Sequence, residues 1–484
     1  MLFNRTADRG RLFRSFGRAA EAAPDAVIPD AETTVASRNQ RGAHRLAFVG
    51  VWFFTLLLYL RPNELFADTL GFFPIVKYTA IATLLAYFVS KLALGERLMI
   101  WPIEMKALAV IVLLGILFTP VAESPQDSLS TLFDTFLKVV TIFVLLINLL
   151  DSLARLRSII TLVVALGTII SLAAIRSYLV GDFVVTDKGV GVRIAGLVGG
   201  IFGNPNDLAN GLNLLLPLAL ALALTSKGWK RVLWLGCAGL LLAGVVVTFS
   251  RGGFLGLLAA GLVLLWKLSR DHRAGVMGAA LALMVLMLLA LPGQYGSRMR
   301  SIINIQEDPT GSAQARRELL VRAADLASRH LVFGVGMGNY HIYSLHEKAA
   351  HNSWLEISTE LGVVGLLAYC LLIFAPLRSL RRIERGTRRE ARSDDDERRQ
   401  LYYFSIALQA VLVSYIVCST FGSIQYLWFL YYPVAYAVAL RGLYRSWRER
   451  ADAVPAGEAS ETAGTIWRSR TSLTQGQAVT MRAK

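Results

Sequence analysis

The sequence predicts an all-α, polytopic integral membrane protein with about 12 transmembrane helices and one long outer loop that contains short helices. The chain of 484 residues is 55% hydrophobic and has a mean hydropathy of +0.50. Several apolar runs reach the ~17–25 residues that a helix needs to cross a bilayer. Lysine and arginine are also divided very unequally between alternate connections, which is the charge pattern of a multi-pass protein.

Twelve apolar runs are predicted to be the membrane-spanning helices. In chain order they cover approximately residues 47–60, 73–90, 103–121, 131–150, 158–180, 207–225, 232–249, 253–267, 275–292, 354–377, 401–420 and 424–440. Because most connections between them are short, consecutive spans are expected to run in opposite directions across the membrane.

The charged residues set the orientation of these spans. If the N-terminus is cytosolic, nineteen Lys and Arg residues lie in the inner connections and only four in the short outer ones. Shifting the assignment by one span removes this asymmetry. Both termini are therefore expected in the cytosol, together with most of the net charge of +16. That basicity fits membrane topology and contact with anionic lipid headgroups, and no nucleic-acid partner is expected.

The predicted organisation follows from the spans and the charge runs. It comprises a basic cytosolic tail at 1–46, spans one to nine within 47–292, a long outer loop at 293–352, spans ten to twelve within 353–440 with a basic cytosolic loop at 378–400, and a second basic cytosolic tail at 441–484. The first tail lacks the short apolar core and cleavage site of a secretory signal peptide. All three cysteines lie in apolar runs, so neither a disulfide framework nor a cysteine metal site is predicted.

The long outer loop is unusual because unstructured connections of about sixty residues are uncommon unless they have a role. Residues 312–330 within it have the pattern of an amphipathic helix, with Leu319, Ala323 and Leu326 on the apolar side. The following stretch "GVGMGNY" is rich in turn residues and lacks the third glycine of a dinucleotide-binding fingerprint. The loop also holds four of the six histidines, but His341 and His346 have no third ligand at a convincing spacing, so no metal site is predicted.

A histidine and an asparagine stand directly before the tenth span, in "HNSWLEISTELGVVGLL". Ser353 and Glu356 have the spacing of a capping box, which predicts that the helix begins at Ser353. His351 then lies on the outer side, beside the free backbone N–H groups and the positive end of that helix. This environment should favour the neutral imidazole, the form that accepts a proton.

Two more spans are predicted to begin at the same face. Asn204 and Asn206 lie in an Asn-Pro-Asn turn before the sixth span, and Arg251 lies in the tight hairpin "FSRGG" before the eighth. Three outward helix starts, Arg193, Arg251 and the loop arginines together predict a cationic basin, rich in hydrogen-bond donors, for a phosphate-bearing ligand.

Each of these residues also has a purely structural interpretation. Arg251 could fix its hairpin by snorkelling to headgroups, the Asn-Pro-Asn stretch could be only a turn, and His351 could be only a cap. Arg316 and Arg317 fit a solvated helix face. The functional interpretation is favoured because the unusual residues all fall at one face.

Four stretches resemble the recurring motifs of the O-antigen ligase/polymerase superfamily of bacterial polysaccharide enzymes. They occur in the superfamily's order, with its long external loop, and cover roughly Arg193 to Tyr369: "GNPNDLA" at 203–209, "FSRGG" at 249–253, "HLVFGVGMGNY" at 330–340 and "HNSWLEISTELGVVGLL" at 351–367.

The resemblance implies a metal-independent, inverting glycosyltransferase of the bacterial inner membrane, with its site facing the periplasm and no cofactor. The implied donor is a glycan on undecaprenyl pyrophosphate, and the implied acceptor is lipid A–core or another glycan. His351 would take the proton from the acceptor hydroxyl. The implied pyrophosphate-binding residues are Arg251, Arg193, Arg316, Arg317 and Arg322, and the site-shaping residues are Asn204, Asn206, Asn352 and Glu356.

Other functions remain open from the sequence. The same superfamily includes O-antigen and exopolysaccharide polymerases and protein O-oligosaccharyltransferases; the unequal spacings Arg193–Gly203 and Arg322–Gly334 favour the ligase type. A twelve-span transporter would show internal repeats and charged or broken helices near the midplane, and no convincing repeat is found. A structural scaffold would tolerate loss of His351 or Arg251.

Overall fold

The computed structural model describes residues 44–62, 75–181, 184–185, 192–194, 202–269, 312–344, 349–388 and 395–453, and for residues 184–185, 192–193, 312–317 and 453 it describes the backbone alone. The described chain is almost entirely helical. Its α-helices are α1 (Arg45–Leu60), α2 (Ile75–Ala93), α3 (Ile103–Phe118), α4 (Pro125–Ser130), α5 (Leu137–Leu149), α6 (Leu153–Val180), α7 (Pro205–Leu224), α8 (Trp229–Val247), α9 (Arg251–Leu268), α10 (Ser312–Arg329), α11 (Tyr340–Tyr343), α12 (Ser353–Thr387), α13 (Asp396–Ser419) and α14 (Trp428–Ala453).

Three short elements complete the described chain. A 3₁₀ turn at Thr119–Val121 follows α3, and a π-helical segment at Thr131–Phe136 joins α4 to α5. The strands β1 (Val184–Val185) and β2 (Val192–Arg193) pair antiparallel, with Val184 opposite Arg193.

Nine helical segments of the described residues are long and apolar enough to cross a membrane, which confirms the predicted fold class. They are Ile75–Ala93, Ile103–Val121, Pro125–Leu149, Leu153–Val180, Pro205–Leu224, Trp229–Val247, Arg251–Leu268, Ser353–Thr387 and Asp396–Ser419. The predicted first span coincides with the shorter apolar helix α1, and the predicted last span coincides with part of α14. The predicted span at 275–292 lies outside the described residues, so twelve spans remain a prediction.

The helices extend beyond the apolar runs at the arginine-rich segments. Helix α12 continues to Thr387 and α13 begins at Asp396, so most of the predicted loop 378–400 is helical. Likewise, α14 starts at Trp428 rather than 424 and runs on to Ala453, into the predicted tail. Hydropathy marks only the part of a helix that lies in lipid. Arginine is a good helix former, and charged contacts hold these ends, including Arg450 with Glu397 at 2.7 Å.

The centre of the bundle consists of α7 and α13, whose residues are mostly buried, whereas few residues of α2 and α8 are buried. Two buried charge contacts tie the helices together. Arg441 of α14 makes a bidentate pair with the buried Glu104 of α3, both contacts at 2.7 Å. Lys267 of α9 pairs with Glu384 of α12, which also accepts a hydrogen bond of 2.9 Å from Gln409 of α13. Paired charges of this kind fix helix positions in an apolar interior.

Candidate functional site

The start of α12 is capped by Asn352, one residue earlier than the capping box predicted. The Asn352 Oδ1 atom accepts hydrogen bonds from the backbone N–H groups of Trp354 and Leu355, both at 3.0 Å. The Ser353 hydroxyl instead donates to the Gly422 carbonyl at 2.7 Å and accepts from the Ile424 N–H at 2.9 Å. The predicted helix start at Ser353 is confirmed, but the predicted capping role of Ser353 is wrong, because its hydroxyl is used between helices.

His351 is half-buried, and its backbone lies in the left-handed region, with φ of +53°. Its N–H donates to the Ser423 hydroxyl at 3.1 Å. Non-glycine residues are uncommon at positive φ, although histidine is among those that enter this region more often. A residue whose backbone is held in this conformation is positioned by its surroundings rather than by local preference.

Glu356, predicted to shape the site, organises the turn that carries His351. Its carboxylate is buried and accepts the Ala350 N–H at 2.6 Å, the Gln425 side-chain amide at 2.7 Å and the Ser423 hydroxyl. One carboxylate therefore holds the backbone before His351 and also the hydroxyl that receives the N–H of His351. Two of these partners, Ser423 and Gln425, lie in the α13–α14 connection (residues 420–427), up to 69 residues from Glu356 in the chain.

The starts of α7 and α9 are joined to each other. Asn204 caps α7, accepting the N–H groups of Asn206 and Asp207 at 2.9 and 3.0 Å. Ser250 caps α9 through the Gly253 N–H at 3.1 Å, and its hydroxyl donates to the Asn206 Oδ1 atom at 2.9 Å. The two predicted asparagines thus have distinct structural roles: Asn204 begins a helix, and Asn206 connects two.

The α13–α14 connection brings the start of α9 to the start of α12. The Asn352 side chain donates to the Thr420 carbonyl at 3.3 Å. On the other side, a methyl group built at Gly252 would lie 3.0 Å from the Cβ atom of Phe421, so these backbones touch. The starts of α7, α9 and α12 therefore meet at one end of the bundle, which we call the His351 end.

Arg251 is the first residue of α9 and is half-buried at the His351 end. The hairpin before it is tight: Phe249 has a φ of +53°, and the Ser250 N–H donates to the Thr248 hydroxyl at 3.2 Å. Arg251 thus lies at the positive end of its own helix. Such a combination of guanidinium and helix start suits an anionic oxygen ligand.

Helix α10 packs on the first turns of α12, with the apolar side that the sequence predicted. Leu319, Ala323 and Ala327 are buried, and the Thr359 hydroxyl approaches the Ala323 carbonyl at 3.4 Å. The Tyr340 hydroxyl donates to the Leu319 carbonyl at 3.2 Å, and burial raises the pKa of Tyr340, which keeps this donor protonated.

Besides Arg251, the structure describes the side chain of one predicted arginine ligand, Arg322, and only the backbone of the others. The exposed Arg322 of α10 donates through Nε to the Tyr343 carbonyl at 2.9 Å. Arg316 and Arg317 lie on the first turns of α10 and Arg193 lies on β2, and for all three the backbone alone is described. Their grouping with Arg251 stays a prediction.

The "GVGMGN" stretch, which the sequence identified as a turn and as part of a superfamily motif, fills a break in α12. Helix α12 is interrupted at Gly362, where φ is +67°. The N–H groups of Val335 and Gly336 donate to the carbonyls of Thr359 and Glu360 at 3.0 and 3.1 Å, and the Val363 N–H donates to the Leu331 carbonyl at 2.8 Å. The loop thereby satisfies backbone groups that the break leaves without helical partners.

Sequence reasoning missed Glu360 and Asn339, which secure this loop. Buried Glu360 accepts the Tyr426 hydroxyl at 2.7 Å and the Tyr340 N–H at 3.4 Å. Buried Asn339 accepts the Ser124 N–H at 2.8 Å and donates to the Ser128 hydroxyl at 2.7 Å. The available signal was a charged residue one turn after Glu356 inside an apolar run, which in a membrane span marks an important position.

Among the residues that the structure describes, no group of three or more His, Cys, Asp or Glu side chains is placed to hold a metal ion. The His341 Nδ1 atom donates to the Gly338 carbonyl at 2.8 Å, and its Nε2 atom lies 3.8 Å from a carboxylate oxygen of Asp127. His346 lies outside the described residues.

Fold and site together define a polytopic membrane protein with a histidine and an arginine fixed beside converging helix starts. The family model described as O-antigen ligase matches residues 236–370, which include α9, α10 and the first half of α12. This match supports membership of the O-antigen ligase superfamily and confirms the resemblance drawn from the motifs. Because that family consists of glycosyltransferase-like ligases and polymerases, the match also supports an enzyme. A search of curated proteins finds no significant match.

Proposed function

We propose that this protein is an O-antigen ligase-type glycosyltransferase, which transfers a glycan from undecaprenyl pyrophosphate to a hydroxyl of an acceptor sugar. The observation that supports this most directly is the arrangement at the His351 end. There, Arg251 and the positive ends of three helices lie at the same end of the bundle as His351, whose backbone is held by Ser423 and Glu356. Positive charge of this kind suits an anionic leaving group, and the imidazole of His351 suits a base.

The proposed reaction is a single displacement at the anomeric carbon of the donor. The acceptor oxygen forms the new bond to that carbon while its proton passes to the His351 imidazole. The bond from the same carbon to the pyrophosphate oxygen breaks, and the electron pair leaves with undecaprenyl pyrophosphate. Attack from the face opposite the leaving group inverts the configuration. A base that titrates near neutrality typically accelerates such steps about 10²–10⁴-fold.

The leaving group gains negative charge during this step, so cations that are held in place lower the barrier. Arg251 is assigned to the pyrophosphate, with Arg193 and one or more of Arg316, Arg317 and Arg322 as further ligands. The donor is already activated, so the proposed chemistry requires neither a nucleotide nor a metal. The prenyl chain stays in the bilayer, which fits a site at the end of a membrane bundle.

The decisive test is surface-glycan analysis with His351→Ala and Arg251→Ala. Both substitutions are expected to abolish glycan transfer while the protein accumulates normally in the membrane, because each removes a reacting or charge-stabilising group. The matched controls are His330→Ala, at a half-buried position, and Arg329→Ala, at an exposed one. Both lie in the predicted outer loop that also holds His351. Normal glycan banding with both His351→Ala and Arg251→Ala would refute the proposal.

The acceptor distinguishes the ligase from the alternative, an O-antigen or exopolysaccharide polymerase. Deletion of a ligase removes all glycan-capped lipopolysaccharide. Deletion of a polymerase leaves a single repeat on the lipid, and deletion of an exopolysaccharide enzyme removes free polymer instead. Gel electrophoresis of whole-cell polysaccharide separates these three results.

We further propose that the His351 end faces the periplasm and that both termini are cytosolic, as the Lys and Arg asymmetry predicts. Two exposed serines provide a matched pair, Ser328 on α10 and Ser446 on α14. In intact spheroplasts, a membrane-impermeant maleimide should label Ser328→Cys, whereas Ser446→Cys should react only after permeabilisation. The reverse pattern would place the site in the cytosol and exclude this assignment.

A further inference from the structure

A second site lies outside the His351 end, in a groove between α1, α2, the π-helical segment, α5 and the start of α14. We call it the α2 groove. Its volume is about 960 Å³, within the range of small-molecule binding sites. The groove exists because α2 packs mainly on α1 and remains separate from α5.

The lining of the α2 groove combines an apolar wall with positive charge. Aliphatic and aromatic side chains from α1, α2, α5 and α14 form the wall, including Phe54, Leu84 and Trp428. Among the residues that the structure describes, three cations line it, Arg61, Lys77 and Lys138, and one acid, Asp134. Apolar walls with a positive lining match an amphiphile that carries a negatively charged head.

The position of Lys138 is the strongest sign of a ligand. This exposed lysine lies within the candidate span Pro125–Leu149. A lysine exposed on a membrane span is costly, so its presence usually reflects a function or a partner. Asp134, one helical turn earlier, offsets part of this charge.

The π-helical segment provides an independent observation at the same place, because π-helical turns are rare and occur frequently at functional sites. Its Phe133 and Asp134 face the groove, while Phe136 is buried on the other side, with ring centroids 5.3 Å from Tyr426 and 5.7 Å from Tyr431. The segment is therefore anchored to the bundle and presents its widened turn to the groove.

From these observations we infer that the α2 groove binds a net-anionic phospholipid, with the phosphate group near Lys77 and Lys138 and the acyl chains along the apolar wall. Lysine and arginine side chains near a membrane surface attract anionic headgroups. The inference does not depend on the proposed transferase activity, because the groove contains none of the residues assigned to transfer.

Photocrosslinking tests this inference in the full-length protein. Benzoylphenylalanine is placed at Leu84, which lines the groove, or at Leu113, which is 60% exposed on α3 and is not part of the lining. The protein is reconstituted with equal amounts of phosphatidylglycerol and phosphatidylcholine. Mass spectrometry is expected to find several-fold enrichment of phosphatidylglycerol at position 84 and the bulk ratio at position 113.

Charge variants show whether the lysines cause the enrichment. Lys77→Gln combined with Lys138→Gln should return position 84 to the bulk ratio, whereas Lys106→Gln, an exposed lysine of α3, should leave the enrichment unchanged. A bulk ratio of the two lipids, or no crosslinked lipid, at position 84 of the protein that keeps Lys77 and Lys138 would overturn the inference. So would displacement of phosphatidylglycerol by substoichiometric undecaprenyl phosphate, which would assign the groove to the prenyl lipid, or by inorganic phosphate.

Discussion

The His351 end and the lipid-facing helices α2 and α8 are built in different ways from equally apolar sequence. In α7 and α13, which support the His351 end, 83% of the most apolar window is buried, compared with 11% in α2 and 22% in α8. The central helices are also linked by side-chain hydrogen bonds through Asn213, Asn352 and Glu356, whereas α2 leaves a wide groove on one side.

This difference indicates that the helices around His351 are held more rigidly than α2 and α8. Within a bilayer, apolar contact with lipid is nearly as favourable as contact with protein, so helix position is specified by close packing and polar contacts. The polar contacts concentrate around His351, where geometry matters for chemistry. Three pairs of substitutions and one single substitution should separate these two ways of fixing helix positions.

The largest effect is expected for Glu356→Ala. Three donors lose their buried acceptor, and at about 1–3 kcal/mol for each unsatisfied group the loss of unfolding free energy should be at least about 3 kcal/mol. The matched substitution Glu318→Ala, at an exposed position of α10, should change it by less than about 0.5 kcal/mol. Chemical unfolding of the purified protein in micelles measures both, and equal small losses would show that Glu356 does not hold the turn.

The next effect is expected for Gly334→Ala. The added methyl group would lie 2.0 Å from the Glu360 carbonyl oxygen, so the loop must leave the break in α12, at a cost of about 1–3 kcal/mol. Glycan transfer should fall as well. Gly239→Ala in α8 meets no atom within 4 Å and should be neutral or stabilising by up to about 1 kcal/mol. Unchanged unfolding in both variants would contradict the described loop position.

A smaller effect, about 1 kcal/mol, is expected from removing either of two helix caps. Asn352→Ala removes the cap of α12, and Ser152→Ala removes the cap of α6, where the hydroxyl accepts the Arg155 N–H at 3.3 Å. Stability should fall by similar amounts, but only Asn352→Ala should reduce transfer several-fold. If both variants lose activity equally, the loss reflects stability rather than the position of His351.

The smallest effect is expected for Leu85→Ala on the outer face of α2, where the side chain is 60% exposed. Unfolding free energy should change by less than about 0.5 kcal/mol, because lipid replaces the lost methyl groups. A loss comparable to that of Asn352→Ala would mean that another element covers this face.

The sequence allowed the helices to be located well, because hydropathy reports directly on contact with lipid. It also located the residues at the starts of α7, α9 and α12, since Asn-Pro-Asn, Ser-Arg-Gly-Gly and His-Asn-Ser are unusual next to apolar runs. The amphipathic helix α10 followed from its periodicity, and the packing of Leu319 and Ala323 agrees with it.

The contacts that hold the site could not be predicted, because their partners are far apart in sequence. Glu356 meets Gln425 and Glu360 meets Tyr426 only after α12 packs against the α13–α14 connection. The break at Gly362 was also hidden, since a single glycine in an apolar run is compatible with a continuous helix. Ser353 had the right spacing for a cap, but Asn352 competed for the same N–H groups and took that role.

The loop that fills the break in α12 constrains the evolution of this protein. Surface loops usually tolerate insertions and deletions. Here the backbone of Val335 and Gly336 is bound to Thr359 and Glu360, and the Asn339 side chain is bound to Ser124. Adding or removing one residue would shift every one of these contacts out of register. Among homologues, this stretch should therefore keep a constant length even where its residue types diverge.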